Sequence, residues 1–504
     1  MAQPAQPVPT AGALTNSAAS DTSFFGHPRG LATLFFTEFW ERFSYYGMRA
    51  LLILFMTAGV ASGGLGYDAG RAGAIYGLYT GSVYLLALPG GWVADRLLGQ
   101  RRSVLLGGIL IACGHFSMAI DSVQTFFLGM LLIVLGTGLL KPNVSTMVAE
   151  LYPEGGSRRD AGFSIFYMGI NLGAFVAPLI CGPLGQKINW HIGFAVAGLG
   201  MLIGLIQYTL GGKHLGTSGL EPNAATSPEE RAKARNFLLA AVGVLVVVVG
   251  LIWAGTLPIN PEAIAKITGY LIGGLVALYF LYQFVSGGYD ATERKRILAI
   301  FLLFLFSSVF WSGFEQAGSS LNLFAQDKTD PNGFGFNMPA SVLQSVNPLL
   351  IILCAPIFAW LWVRLSKSKL EPSAPAKFSL GLILLAGGFF VMVGAAKAAA
   401  GGVLVSPFWL CLTYLFHTCG ELCVSPVGLS TVTKLAPQRI VGQMMGIWFM
   451  SISLGNLIAG LVAGGFQTLP LPELFGSVVI NCLIAGVILA LLIRPIRRLM
   501  VGVH

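Results

Sequence analysis

The sequence predicts an all-α membrane protein in which two six-helix bundles face each other across a cavity and two extra transmembrane helices bring the total to about fourteen. Composition points there first. Hydrophobic residues make up 55% of the chain and charged residues 10%, with a mean hydropathy of +0.76, far from the balance of a soluble domain. Second, apolar stretches recur at about the 20-residue length that crosses a bilayer, without the period-2 alternation of a barrel strand. Third, Glu38, Glu41, Arg42, Arg49, Lys141, Glu315 and Glu421 all fall inside those stretches. Each such charge costs roughly 2.5 to 3.5 kcal/mol on insertion scales, so the set must line a polar interior.

The elements follow in order. Residues 1–28, rich in Ala, Pro, Ser and Thr, lack the basic start and apolar core of a signal peptide and read as a disordered cytoplasmic tail. Six spans near 30–60, 71–94, 103–121, 124–149, 159–184 and 190–212 make an N-terminal bundle over 29–212. A polar linker of Gly, Ser, Pro and mixed charge covers 213–235. The spans near 236–257 and 262–287 are apolar all round, with Glu262 and Lys266 at one end, so the segment 236–290 is expected to hold two lipid-facing accessory helices. Six more, near 294–324, 341–365, 376–396, 405–434, 440–466 and 472–496, make a C-terminal bundle over 291–504.

The net charge of +9 reflects orientation rather than an acidic partner such as nucleic acid, because the basic residues cluster in every second loop. Arg96, Arg101 and Arg102 follow the second span, Arg158 and Arg159 the fourth, and Lys213, Arg231, Lys233 and Arg235 the sixth. Arg294, Lys295 and Arg296 continue the pattern, then Arg364, Lys367, Lys369 and Lys377, then Lys434 and Arg439, then Arg494, Arg497 and Arg498. Opposite loops hold few, such as Arg71, Lys187 and Lys328, so both termini are expected on the cytoplasmic side of a bacterial plasma (inner) membrane. All seven cysteines lie in apolar segments, which implies small packing residues and no disulfide framework. The 65 glycines suit close helix packing; the run from Gly107 to Gly114 lacks a Walker lysine and a strand-to-helix context.

On a helix, Glu38, Glu41, Arg42, Tyr45 and Arg49 share one face, with Tyr46 at its edge. Carboxylates beside a guanidinium stay charged, whereas an unpaired buried carboxylate takes a proton. A Glu/Glu/Arg cluster in a wet cavity can therefore exchange a proton when its arginine is drawn to another anion; the alternative is an ion-pair cluster that only fixes packing. Lys141 precedes Pro142 far from a helix end, where its ammonium cannot snorkel to the interface. Glu421 shares a polar stripe with His417 and Ser425, and Glu315 follows Trp311 by one turn.

Residues 38–47, Glu-Phe-Trp-Glu-Arg-Phe-Ser-Tyr-Tyr-Gly, closely resemble the E-x-x-E-R-F-x-Y-Y-G signature of proton-dependent oligopeptide transporters, a branch of the major facilitator superfamily. The resemblance continues in family order through Gly91-x-x-x-Asp95-Arg96-x-x-Gly99-x-Arg101-Arg102, Gly138-x-x-Lys141-Pro142-Asn143 and Phe166-Tyr167-Met168-Gly169-Ile170-Asn171-Leu172-Gly173. It is completed by Phe310-Trp311-Ser312-Gly313-Phe314-Glu315-Gln316-x-Gly318-Ser319 and Gly420-Glu421-Leu422-x-x-Ser425-Pro426-x-Gly428. Two extra helices match the bacterial fourteen-helix form, and the short link near 401–407 leaves no room for the extracellular domain of animal members. One departure stands out: Gly77 occupies the place of the histidine thought to assist coupling in animal members.

The resemblance implies a proton-coupled symporter that imports di- and tripeptides by alternating access, with no cofactor beyond the coupling proton. Glu38, Glu41, Arg42 and Glu315 would carry the coupling, and Glu315 would pair across the bundles. Glu421 would receive the substrate amine; Tyr84, Asn171, Trp311, Asn347 and Trp448 match cavity-lining positions. With Tyr45, Tyr46, Arg49, Lys141 and Ser425 they form the expected binding set, and Arg49, Lys141, Glu315 and Glu421 the expected gates. A cavity with Glu421 on one bundle and Arg49 and Lys141 on the other complements both ends of a zwitterionic peptide. His417 reads as a packing histidine, and Asp95 with its arginines as a cytoplasmic lock or helix-dipole partner. The alternatives are a relative that moves nitrate, another small anion or a peptide-like drug, and a receptor that senses peptides without moving them. An enzyme is disfavoured, since no H-E-x-x-H, G-x-S-x-G or metal-ligand spacing occurs. Membrane lipid is the expected surround, and a monomer the expected state.

Overall fold

In hydrocarbon every backbone N–H and C=O must be satisfied within its own segment, so apolar spans of this length become helices. The computed structural model describes residues 21–222, 227–368 and 370–502. The N-terminal half holds α1 (Arg29–Thr57), α2 (Ala69–Leu85), α3 (Ala87–Val93), α4 (Gln100–Met118), α5 (Val123–Glu150), α6 (Gly156–Pro183) and α7 (Trp190–Gly211). Two further helices follow, α8 (Pro228–Trp253) and α9 (Pro261–Ser286). The C-terminal half holds α10 (Ala291–Phe314), α11 (Ser320–Lys328), α12 (Val346–Lys367), α13 (Ala374–Ala398), α14 (Phe408–Leu435), α15 (Val441–Ala463) and α16 (Leu471–Leu499). No strand longer than an isolated bridge occurs among the described residues.

Eleven helical segments among the described residues are long and apolar enough to cross a membrane, which makes the chain an integral membrane protein. The expected spans outside that set lie over α1, α2 with α3, and α4. In α1 the reason is plain, since Glu38, Glu41, Arg42 and Arg49 lower its hydropathy; the structure buries all four side chains. The second expected span is one path broken at Leu86 and again at a wide turn over 94–98, which ends where Gly99 takes φ 75°.

Several boundaries differ from those expected. The disordered tail was expected to reach residue 28; residues 1–20, like Lys369 of the basic clusters, lie outside the described residues, while residues 21–28 are tied down. Asp21 accepts from the backbone N–H of Arg29 at 2.8 Å, and His27 is buried with Nδ1 2.9 Å from the Tyr152 hydroxyl. The linker was expected to run to residue 235, but Ser227 and Glu230 form a reciprocal N-terminal cap that starts α8 at Pro228. Only Ala234 of α8 is buried, whereas α9 buries one side, including Ile272, Val276 and Phe280, against α2 and α15.

Packing within each half relies on close backbone approach. A Cβ on Gly107 would lie 2.6 Å from the Gly136 carbonyl oxygen and one on Gly114 2.7 Å from that of Gly129, so α4 and α5 meet where only hydrogen fits. Between the halves, α2 packs on α15 and α6 on α12. Hydrogen bonds that join the halves gather at mid-depth and at the end away from the termini. Ser341 Oγ donates to Gln186 at 2.5 Å, Lys187 Nζ to the Asn337 carbonyl at 2.7 Å, and Asn322 Nδ2 to the Ala50 carbonyl at 2.9 Å. That end is closed.

Candidate functional site

A cavity of about 250 Å³ lies between the halves at mid-depth, and its walls come from α1, α2, α5 and α6 on one side and α10, α12, α14 and α15 on the other. The charged face of α1 forms one wall. Arg42 Nε is 3.2 Å from Glu38 Oε1 and hydrogen-bonds Glu41 Oε2 as well, with all three side chains buried. Two carboxylates thus share one guanidinium, leaving the cluster one negative charge in excess when both are ionised. Two turns along, Arg49 donates to Glu315 Oε2 at 2.6 Å and to the Tyr76 hydroxyl at 2.5 Å. Because Glu315 stands just after α10, this ion pair joins the two halves on the side where the other bridging hydrogen bonds lie.

Lys141 reaches the cavity from α5 beside Pro142, with its ammonium 4.0 Å from the centroid of the Tyr84 ring. On the opposite wall Glu421 accepts from Asn347 Nδ2 at 3.3 Å, and the same amide donates to Thr418 at 2.9 Å. Among the described residues neither Lys141 nor Glu421 has an ion-pair partner. An unpaired cation and an unpaired anion on facing walls are unfavourable alone and attractive to a ligand carrying the complementary pair of charges.

Of the residues expected from sequence, Glu38, Arg42, Arg49, Lys141, Glu315 and Glu421 all border this space. So do Tyr46, Tyr84 and Asn171, and on the far side Trp311, Asn347, Ser425 and Trp448. Trp311 Nε1 has no hydrogen-bond acceptor among the described residues. Two expected residues are placed elsewhere. Tyr45, expected to bind substrate, does not line the cavity: it turns toward α2, stacked on Tyr79 with centroids 6.3 Å apart and the Arg42 guanidinium 5.1 Å from its ring. Glu41 stands behind Arg42, outside the lining. His417 packs among aromatics, 4.9 Å from the Phe389 ring and 6.4 Å from that of Phe314.

Gly77 has a positive role that a missing histidine does not suggest. A Cβ there would lie 2.9 Å from the Asn456 carbonyl oxygen and 3.1 Å from the Gly460 Cα, so the position admits no side chain while α2 and α15 stay in contact. Near the termini, Asp95 accepts from Gln100 at 3.1 Å, and Arg101 donates to the carbonyls of Ser218 and Gly216, tying α4 to the segment after α7.

Tyr167, Gln344 and Tyr414 line the cavity without having been singled out. Tyr167 had a signal, since it precedes Asn171 by four residues, one turn back on the same helix face. Gln344 precedes α12 in a short helical turn and donates to the Ala317 carbonyl at 2.6 Å; nothing local in its sequence marks that contact.

Comparison with known proteins bears on this site as a whole. A family model described as the POT family matches residues 101–473. The chain is 47% identical over 499 residues to a peptide transporter of Yersinia enterocolitica subsp. palearctica, covering 96% of this chain and 98% of that one. It is 40% identical to a di-/tripeptide transporter of Lactococcus lactis subsp. cremoris, covering 97% and 99%. Among solved structures, a peptide transporter POT in complex with sulfate superposes with a TM-score of 0.91 at 42% identity, covering 97% of this chain and 99% of that one.

Proposed function

The chain belongs to the POT family, and on that premise we propose that it imports di- and tripeptides together with protons, the unpaired Glu421 and Lys141 on facing walls of the cavity carrying the reading. It is a transporter and not an enzyme. A zwitterionic peptide places its amine and carboxylate one or two residues apart, at roughly 3.5 Å per residue when extended. The amine meets Glu421, oriented by Asn347, and the carboxylate meets Lys141 and Arg49. Tyr46, Tyr84, Trp311 and Trp448 offer aromatic surface that suits varied side chains. A carboxylate without a cation partner in the cavity disfavours nitrate or another small anion as the cargo.

Coupling follows from the two charge clusters. Arg49 holds Glu315 only while Glu315 is ionised; a proton on Glu315 releases the bridge and the end it helps to close. When Arg49 turns to the peptide carboxylate, Glu315 loses its partner and favours a proton, so substrate and proton bind together. The Glu38–Glu41–Arg42 cluster, with one excess negative charge in a buried site, is a second proton acceptor and the path beneath it. One proton crossing 100 mV gains about 2.3 kcal/mol, enough for a concentration ratio near fiftyfold. The basic loops support cytoplasmic termini in a bacterial plasma membrane, so the end bridged by Gln186, Ser341 and Lys187 is the outer one. The two halves form a complete cavity in one chain, which favours a working monomer.

The test compares free and N-acetylated dipeptides as competitors of labelled dipeptide uptake. A charge-assisted hydrogen bond contributes about 1.5–3 kcal/mol, so acetylation should weaken competition at least about tenfold. In Glu421→Gln that penalty should largely vanish. An unchanged penalty in the mutant would show that Glu421 does not hold the amine.

A further inference from the structure

A second cavity, of about 580 Å³, opens at the end of the C-terminal half that carries the chain terminus, walled by α12, α13, α14 and α16. Three cations, Lys377, Lys434 and Arg497, face one carboxylate there, Glu371. Lys377 is 7% exposed, its ammonium 2.6 Å from Glu371 Oε1 and 4.5 Å from the centroid of the Trp362 ring. That hydrogen bond holds the Glu371 carboxyl below its ordinary range and commits it to Lys377. Lys434 and Arg497 have no carboxylate within ion-pair distance among the described residues.

The rest of the wall is built for the same sign of guest. Helix α13 begins in it at Ala374, and the Ser373 side chain before it caps no backbone N–H, so the positive end of the helix faces the space without a protein acceptor. The hydroxyl-bearing Ser430 and Thr431 border it from α14. Two unpaired cations, hydroxyl donors and a helix N-terminus converge on one cavity, a donor set that matches a multi-oxygen dianion better than a single carboxylate. The volume leaves room for a group attached to that dianion.

We propose that this cavity is a binding site for a phosphate-bearing ligand, held by Lys434 and Arg497 over the start of α13, and separate from the peptide cavity. Its source is either a soluble phosphate or the headgroup of an anionic phospholipid. Purified full-length protein would be titrated with inorganic phosphate in detergent and, separately, placed in phosphatidylcholine nanodiscs with and without phosphatidylglycerol. Bound lipid is read by native mass spectrometry, and stabilisation by the shift in Tm. A Lys434→Gln/Arg497→Gln double variant should bind the effective probe at least about tenfold more weakly, whereas a Lys434→Arg/Arg497→Lys pair should retain it. Both residues are exposed, and an unchanged gel-filtration profile confirms folding. Stabilisation by inorganic phosphate supports the soluble source; retained phosphatidylglycerol with no response to phosphate supports the headgroup. Absence of binding by both probes, or equal binding by the double glutamine variant, overturns the proposal.

Discussion

Single side chains decide the chemistry of the central cavity. Glu315 and Arg49 are 2.6 Å apart and buried, so removing one charge strands the other. Glu315→Gln keeps the shape but cannot alternate between ion pair and protonated acid. We expect proton-driven uptake to fall by more than about a hundredfold, while gradient-free exchange of labelled for unlabelled dipeptide persists; the pair of assays in proteoliposomes checks it. Lys141→Gln removes the cation that faces the tyrosine ring and that we propose receives the peptide carboxylate. It should weaken dipeptide binding about tenfold or more and leave a C-terminally amidated dipeptide almost unaffected, as measured by competition, because the amide gives that cation nothing to pair with. Tyr45 shows where reading a helical face stops. It shares the stripe of Arg42 and Arg49, yet Tyr79 on α2 takes up its ring.

At the level of elements, the contact of α2 with α15 depends on residues without side chains. Gly77 meets the backbone at Asn456, and Gly73 meets the Gly460 carbonyl with only 2.4 Å available to a Cβ. Gly77→Ala must push the helices apart or distort them, at a cost typical of overpacking, about 1–3 kcal/mol. A lower Tm with reduced uptake is the expected outcome; a Tm equal to that of the parent would show that the contact is not maintained in the membrane. Sequence marked Gly77 as an absent histidine, because a glycine's partner is on another helix and leaves no trace in the local pattern. Helix α14 borders both cavities: Glu421 and Ser425 line the central one, and Ser430, Thr431 and Lys434 line the one near the chain terminus.

For the whole molecule, the closed end opposite the termini and the cavity between the halves predict transport by exposure to one side at a time. Uptake into proteoliposomes should be concentrative under an inward proton gradient and collapse with a protonophore. Cysteines at Gln186 and Ser341, whose side chains bridge the halves across the closed end, should stop uptake when linked by a short bis-methanethiosulfonate and recover it on reduction. The parent chain, treated identically, controls for its native thiols; undiminished uptake of the linked protein would show that this end need not open. What the sequence by itself determined is whatever depends on local composition and period. That includes the membrane class, the approximate spans, the charged stripe of α1 and the intramembrane Lys141 of α5, Glu315 just after α10 and Glu421 of α14, since hydrocarbon admits a charge only where a polar interior receives it. The motif order added the family. Only the tertiary structure decided that Tyr45 turns away while Tyr167, Gln344 and Tyr414 turn in, that Arg49 already holds Glu315, and that Glu421 and Lys141 have no ion-pair partner among the described residues. Those outcomes depend on how helices distant along the chain dock, where the position of one side chain is set by the room its neighbours leave.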